Sequence, residues 1–199
     1  MKSKKTVLIL VLAFVVLMVG ASVLYNNLGA DLAPSQLATQ PPATEAPDAT
    51  EVPGQTQPAR QKAPDFTVYD VDGNEVKLSD YFGKPIVLNF WASWCGPCKS
   101  EMPDFNEKYQ ELGEDIQFLM INMTDGDRET VEIASEFVAG LGYSFPVFYD
   151  TAQHAAMVYG VYSLPTTLFI DAEGYMVAYA AGAIDGETLL RGIDMIANP

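Results

Sequence analysis

The feature that most constrains the fold is a pair of cysteines that directly follows a short apolar segment. The chain has two cysteines in 199 residues, and both lie in the stretch Trp94-Cys95-Gly96-Pro97-Cys98. The segment Ile86–Trp91 before them is apolar at every position but one, as is typical of a strand buried on both faces. The pattern predicts a central strand that leads into a Cys-x-x-Cys pair at the start of a helix.

Cysteines at this spacing predict a dithiol that exchanges disulfides. The N–H groups and dipole at the helix N-terminus stabilise the thiolate of Cys95, which makes Cys95 the predicted nucleophile. Cys98, one turn along and more buried, is predicted to resolve the mixed disulfide, so the Cys95–Cys98 disulfide is itself the redox group and no separate cofactor is predicted. Gly96 lets another backbone approach the sulfur, and Pro97 suits the first helical turn. Neither residue adds a charge that would stabilise the thiolate and thereby the reduced form. The dithiol is therefore predicted to act as a reductant.

Other uses of the two cysteines have weaker support. Zinc usually takes four Cys or His ligands, and the chain adds only His154 to the pair, so no metal site is predicted. Haem attachment requires a histidine at position 99, which is lysine, and a structural disulfide closing so short a loop would restrain little chain entropy. A peroxidase would want a threonine where Ala92 stands. A Cu(I)-binding module using both thiolates stays open as the alternative function.

The N-terminal region predicts export across a membrane. Residues 1–5 form a basic tail, and residues 6–25 contain no charged side chain over a length that could span the ~30 Å hydrocarbon layer as a helix. No Lys or Arg follows until Arg60, so the positive-inside rule puts the tail in the cytoplasm. We therefore expect a single-pass signal anchor in the cell membrane, with the C-terminal part extracytoplasmic. A cleaved signal peptide is the alternative, and it delivers the domain to the same compartment.

Composition divides the rest of the chain into a linker and one domain. Residues 26–63 carry scattered prolines and few large apolar residues, which predicts a disordered linker. Residues 64–199 form the predicted folded domain. From Pro64 onward there are six Lys or Arg residues against twenty-two Asp or Glu residues, and the whole chain has a net charge of −15. This acidity argues against nucleic acid as a partner.

Hydrophobic periodicity in residues 64–199 predicts alternating strands and helices, which is typical of an α/β sandwich. The predicted strands are 65–69, 75–78, 86–91, 116–122, 145–149, 166–170 and 175–181, and the predicted helices are 95–112, 128–139, 152–159 and a last helix capped by Asp185. Helical spacing assigns to the core Met102, Phe105, Tyr109, Val131, Ile133, Ala134, Phe137, Val138, Leu189, Leu190, Ile193 and Ile196. Asp127 is the predicted cap region of the second helix.

Three stretches together resemble a known family. They are Ala63-Pro64-Asp65-Phe66, then Val87 to Lys99 with the sequence VLNFWASWCGPCK, and Tyr159 to Asp171 with the sequence YGVYSLPTTLFID. In combination they resemble the membrane-anchored TlpA/ResA-like thiol-disulfide oxidoreductases of the thioredoxin superfamily. The resemblance covers Ala63 to the C-terminus.

This resemblance implies a thioredoxin-like three-layer sandwich with an N-terminal β-hairpin and an inserted helix-strand element. It implies that Pro165 is cis and lies beside the dithiol, while the backbone of Leu164 pairs with an extended substrate. Implied partners are exported thiol or disulfide proteins, such as apocytochrome c, and a membrane electron donor. Trp94, at the rim beside Cys95, is expected to cover a substrate, and Trp91 is expected to be core.

The chain departs from the family pattern at the group that would accept the proton of Cys98. The buried acid that thioredoxins use aligns with Asn89, which cannot take a proton. Some ResA-like proteins carry a glutamate between their cysteines, whereas this chain has Gly96. Water or another carboxylate, with Glu173 as one candidate, is left to accept the proton. Glu173 lies in a sequence typical of a turn, and His154 is expected at the surface.

Overall fold

A computed structural model describes residues 37–38 and 61–197. Seven strands and four α-helices alternate within these residues. The strands are β1 (Thr67–Tyr69), β2 (Glu75–Lys77), β3 (Ile86–Trp91), β4 (Gln117–Asn122), β5 (Val147–Tyr149), β6 (Thr166–Ile170) and β7 (Met176–Ala181). The helices are α1 (Gly96–Leu112), α2 (Val131–Leu141), α3 (His154–Tyr159) and α4 (Gly186–Ala197), and a 3-10 turn spans Leu78–Tyr81.

The strands form one sheet with the order β2-β1-β5-β4-β3-β6-β7. Strand β3 runs parallel to β4 and antiparallel to β6, and all six of its residues are buried. A strand with a neighbour on each side and a packed layer on each face has no solvated position, which explains its nearly continuous apolar sequence.

Two apolar clusters cover the two faces of the sheet. One contains the buried side of α1, represented by Met102 and Phe105, together with Leu189 and Ile193 of α4. The other contains Phe66, Leu78 and Ala155 of α3. The sheet therefore lies between two layers, and the predicted thioredoxin-like three-layer sandwich with its N-terminal hairpin is confirmed.

Helix α1 begins directly after the first cysteine of the dithiol. Cys95 is the N-cap residue, and Gly113 ends the helix, as predicted. Met102 and Phe105 are buried, while Tyr109 packs edge-on against Phe118 with ring centroids 5.8 Å apart. Pro103 lies inside the helix without ending it.

The predicted boundaries differ from the observed ones by at most two residues at every end but one. Helix α2 begins at Val131, three residues later than predicted, and its cap is Thr130 rather than Asp127. The Oγ1 of Thr130 accepts the Ile133 N–H at 3.2 Å, whereas the Asp127 N–H donates to the side chain of Asp125 within a preceding loop. The cap prediction was wrong because Asp125 already organises that loop.

Two predicted core residues are exposed. Ile133 is 42% exposed and Leu190 is 40% exposed. The buried stripe of α4 is formed by Leu189, Ile193 and Ile196, so Leu190 lies to one side of it. These predictions were wrong because the contact face of each helix is narrower than its apolar stripe.

Parts of the predicted linker pair with the edge strand β7. Ala38 and Tyr179 form an antiparallel bridge with two N–H···O bonds of 2.8 Å. Lys62 bridges to Tyr175, and the Ala63 N–H donates to Gly174. The folded unit thus begins earlier than residue 64. The predicted anchor at residues 6–25 lies outside the described residues, and no helix within residues 61–197 has the length and apolarity to cross a membrane.

Close packing of α4 on β6 gives a test of this fold. A Cβ atom at Gly192 would lie 2.2 Å from the ring of Phe169, which is fully buried. We expect Gly192→Ala to destabilise the domain by ~1–3 kcal/mol through overpacking, although alanine is the better helix former by ~1 kcal/mol. Chemical denaturation measures the change.

The matched control is Gly140→Ala in α2, where the added Cβ would meet no atom within 4 Å. Gly140→Ala gains the higher helix propensity of alanine without a steric clash like that with Phe169, so it should be neutral or stabilising. Equal effects of the two substitutions would contradict the packing of α4 against Phe169.

Candidate functional site

The two cysteines are joined by a disulfide between the end of β3 and the start of α1. Their Cα atoms lie 5.3 Å apart. Cys98 is fully buried, whereas Cys95 retains 4% of its surface exposed. The Cys98 N–H donates to the Sγ of Cys95 at 3.1 Å. Cys95 is thus the more exposed of the two cysteines, and its sulfur accepts a hydrogen bond from an N–H group of the first helical turn, in the arrangement expected of the nucleophile.

A groove of about 410 Å³ opens beside Cys95. We call it the dithiol groove, and its lining residues are Trp94, Cys95, Gly96, Pro97, Met123, Asp125, Gln153, Val161, Tyr162, Ser163 and Leu164. The structure therefore brings together all the predicted substrate-contacting residues except Pro165, which is buried behind the groove. The Leu164–Pro165 bond is cis, as the resemblance implied.

The rim of the groove is aromatic and carries one cation. Trp94 is 41% exposed, and the guanidinium of Arg128 lies 4.0 Å from the centroid of its ring. Tyr162, on the segment before the cis proline, is 98% exposed. Trp91, in contrast, is fully buried, as predicted. An exposed aromatic rim around a sulfur suits contact with a polypeptide substrate.

One turn along α1 from Cys98 lies a buried carboxylate that the sequence reasoning missed. Glu101 follows Cys98 by three residues on α1 and is only 2% exposed. Its Oε1 accepts a hydrogen bond from Asn89 Nδ2 at 2.8 Å, and its Oε2 accepts the Ile184 N–H at 3.0 Å. Residues three apart on a helix share a face, so Glu101 and Cys98 both point into the same buried layer.

Burial sets the protonation of this carboxyl group. Desolvation raises the pKa of Glu101 to about 7, and the hydrogen bonds from Ile184 and Asn89 oppose that shift only in part. The negative charge of Asp104 adds a smaller upward contribution to the pKa. Glu101 therefore exchanges its proton near neutral pH, as a general acid or base requires.

Asn89 occupies the position of the buried acid of thioredoxins. Here it does not act as an acid but donates a hydrogen bond to Glu101. Its Nδ2 group also donates to Thr167 Oγ1 at 3.0 Å, so the amide connects α1 to β6 beneath the dithiol. The sequence carried a signal for this site: an acid at position 101 interrupts a helix face formed by Cys98, Met102 and Phe105. A charged residue on a core face requires a partner or a function.

Glu173, the carboxylate named from the sequence, is not part of the site, and that suggestion was wrong. It is exposed in the turn between β6 and β7. Pro165 precedes β6 and Glu173 follows it, so they lie at opposite ends of a five-residue strand that is ~16 Å long. His154 is exposed, as predicted, and its Nδ1 accepts the Thr67 N–H.

The atoms that could hold Cu(I) are the two sulfurs, which are bonded to each other in this structure. Within the described residues, no group of three or more His, Cys, Asp or Glu side chains is arranged to bind a metal ion. The geometry of the site is that of a dithiol beside an open groove and above a titratable acid.

Comparison with known proteins gives consistent matches. Residues 59–179 match the AhpC/TSA family. The thiol-disulfide oxidoreductase ResA of Geobacillus thermodenitrificans is 36% identical over 137 residues, covering 67% of this chain and 75% of that protein. ResA of Bacillus anthracis is 39% identical over 132 residues, covering 65% and 73%.

Solved structures agree with the sequence relatives. The exposed lipoprotein thioredoxin of Streptococcus pneumoniae is 37% identical, covers 64% of this chain and 96% of its own, and superposes with a TM-score of 0.56. A DsbF homologue of Corynebacterium diphtheriae is 26% identical, covers 78% and 99%, and has a TM-score of 0.63.

The raised pKa of Glu101 predicts a pH-dependent stability. A glutamate with a folded pKa of about 7 and an unfolded pKa of ~4.3 binds more protons when folded, so its contribution to stability falls as pH rises between these values. Glutamine does not titrate and resembles the protonated acid, so the Glu101→Gln variant does not lose stability in this way as pH rises. We therefore expect the stability of Glu101→Gln relative to wild type to increase by a few kcal/mol between pH ~4 and pH ~8.

Urea unfolding of the oxidised proteins at the two pH values measures the difference, because other titrating groups contribute equally to both proteins. Glu107→Gln, an exposed position on the same helix, is the control and should show no such pH-dependent gain. A constant difference between Glu101→Gln and wild type would mean that Glu101 does not titrate in this range.

Proposed function

The chain belongs to the AhpC/TSA family and to its ResA-like thiol-disulfide oxidoreductases, and from this membership we propose that it reduces disulfides of exported proteins outside the cytoplasm. The observation that carries the proposal is the geometry of the dithiol. Cys95 lies at a helix N-terminus and lines an open groove, and the fully buried Cys98 lies three residues further along the chain. Apocytochrome c, with its paired cysteines, is the client class that the family resemblance suggests.

The reaction uses two electrons from the reduced dithiol. The Cys95 thiolate attacks one sulfur of the client disulfide, forms a mixed disulfide and releases the other client sulfur as a thiolate. The Cys98 thiolate then attacks Cys95, and the Cys95–Cys98 bond forms as the second client thiolate leaves. The client gains two electrons and two protons, and the enzyme ends in the disulfide state seen in the structure.

Cys98 must lose its proton before it can attack. It is fully buried, so bulk water does not reach its sulfur directly. Glu101 lies on the same buried face of α1 and has a pKa of about 7, so we assign it the role of proton acceptor for Cys98. In this chain the acid lies on the helix, while Asn89 on the strand holds it by a hydrogen bond.

The direction of the reaction is inferred from the residues between the cysteines. Gly96 and Pro97 are both exposed and carry no charge that would stabilise the thiolate and thereby the reduced form. A dithiol without that stabilisation is a better electron donor. A donor has to be re-reduced after each turnover, and a membrane protein that supplies electrons is the proposed partner.

The proposed location outside the cytoplasm is supported by the N-terminal sequence. Residues 6–25 are proposed to anchor the chain in the bacterial cell membrane, with residues 1–5 in the cytoplasm and the linker and domain on the other side. This places the dithiol in the compartment where exported proteins acquire disulfides.

Trapping of the client tests the function. Cys98→Ser removes the resolving thiol, so the mixed disulfide on Cys95 should accumulate, and mass spectrometry of the adducts identifies the client. We expect exported proteins with paired cysteines. Cys95→Ser is the control, because it retains a thiol at the buried position and should trap few or none. Recovery of only small thiols, such as glutathione, would contradict a protein-disulfide reductase.

The role of Glu101 is tested by the rate of the second step. When the reduced protein is mixed with excess Ellman's reagent, the first thiol release reports attack by Cys95 and the second reports attack by Cys98. In wild type the second phase should accelerate as pH rises through about 7, because Glu101 becomes ionised there. Glu101→Gln should lose this acceleration and slow the second phase by about a hundredfold at neutral pH.

Glu107→Gln again serves as the control, and both of its phases should match those of wild type. The first phase should be nearly unchanged in Glu101→Gln, because Cys95 is the sulfur that faces solvent. An unchanged second phase in that variant would assign the proton of Cys98 to another acceptor.

A further inference from the structure

A second buried carboxylate, on the other side of the dithiol, is not used by the mechanism above. Glu129 lies in the loop between β4 and α2 and is fully buried. Its Oε1 accepts the Ser93 N–H and the Asn122 Nδ2 group, each at 2.7 Å. Its Oε2 accepts the Ser93 hydroxyl at 2.6 Å. One side chain therefore connects the loop before Cys95 to the end of β4.

The loop that carries Glu129 is itself held in place by local hydrogen bonds. The side chain of Asp125 accepts the N–H groups of Asp127 and Glu129, both at 2.9 Å. The carbonyl of Glu129 accepts the N–H groups of Asp125 and Gly126. A closed loop of this kind presents the carboxylate of Glu129 in one position.

The same loop makes a second contact with the segment before the dithiol. Arg128, adjacent to Glu129, stacks its guanidinium on the ring of Trp94, and Trp94 is adjacent to Ser93. Ser93 is thus held by hydrogen bonds and Trp94 by a cation–π contact, both from consecutive residues of one loop. Cys95 is the next residue in the chain.

Hydrogen bonds continue from Glu129 to a second chain segment that lines the groove. Asn122, which donates to Glu129, accepts the Thr124 hydroxyl at 2.7 Å through its Oδ1. The Thr124 carbonyl accepts the Gln153 Nε2 group at 3.0 Å. Gln153 lines the dithiol groove and has a φ of 56°, which is unfavourable for a residue other than glycine. The network thus joins Ser93, the residue before Trp94, to Gln153, and both Trp94 and Gln153 line the groove.

We propose that Glu129 is a positioning residue for client binding, because it holds Ser93 and thereby sets the distance between Trp94 and Gln153, which both line the dithiol groove. The proposal rests on the proposed reduction of protein disulfides. A polypeptide segment that fills the groove contacts both residues while its disulfide reaches Cys95, so its binding depends on the width of the groove between them. A small disulfide contacts only the sulfur, and its reaction does not depend on that width.

The test compares a protein disulfide with a small one. Insulin and 2-hydroxyethyl disulfide are reduced by the full chain with dithiothreitol as electron donor. Glu129→Ala leaves three hydrogen-bond donors without their acceptor, so the KM for insulin should rise about tenfold or more. The kcat for insulin and the rate with 2-hydroxyethyl disulfide should stay within about twofold of wild type.

Glu129→Gln should restore the insulin KM. Its amide oxygen can accept from Ser93 N–H and Asn122, and its NH2 group can donate to the Ser93 hydroxyl, which is also an acceptor. Glu136→Ala, at an exposed position on α2, is the control and should leave both reactions unchanged.

Ser93→Ala is a milder variant that tests the same link if Glu129→Ala does not fold. It removes only the hydroxyl bond to Oε2, and it should raise the insulin KM several-fold in the same direction without affecting the small disulfide. Wild-type KM values in the folded variants, or an equal loss with both substrates, would overturn the positioning role while leaving the proposed function intact. Absence of insulin reduction by the wild-type protein would overturn both.

Discussion

The pairing of β3 with a neighbour on each side is the constraint on which the site depends. Its parallel partner β4 brings the end of that strand, and the loop that follows, beside Trp91 and the segment leading to Cys95. Its antiparallel partner β6 sets Thr166 opposite Phe90, so the cis Pro165 reaches the same edge of the sheet. A slip of one residue in either pairing would turn every side chain of the strand to the other face and separate these groups.

Two buried carboxylates flank the dithiol, and their environments suit different tasks. Glu101 receives two hydrogen bonds in a desolvated layer beneath Cys98, and its pKa of about 7 suits proton exchange. Glu129 receives three hydrogen bonds from two different segments, which suits a fixed link between them. A buried carboxyl group is tolerated where its hydrogen-bond partners are preorganised, and both glutamates meet that condition through backbone N–H groups as well as side chains.

The edge of the sheet shows how a polar, proline-containing segment can still pair locally. Strand β7 would expose its backbone groups, but Ala38 and residues 61–63 hydrogen-bond to it. Such pairing requires only backbone groups, so the composition of the segment neither favours nor forbids it. Composition therefore predicts that this stretch has no core of its own, and it does not predict where the stretch touches the domain.

The sequence by itself determined the dithiol, the strand and helix around it, and the α/β class, because each depends on local pattern: a continuous apolar run for β3, a Cys-x-x-Cys pair before a helix, and a glycine at the end of α1. Only the tertiary structure decided which acids serve the dithiol. Glu173 and Glu101 are both carboxylates near a predicted element, and burial separates them: one is solvated in a turn, and the other lies beneath Cys98. Glu129 meets Ser93 across 36 residues of sequence. Desolvation and contacts between distant segments are produced by tertiary packing, so a local sequence pattern does not predict them.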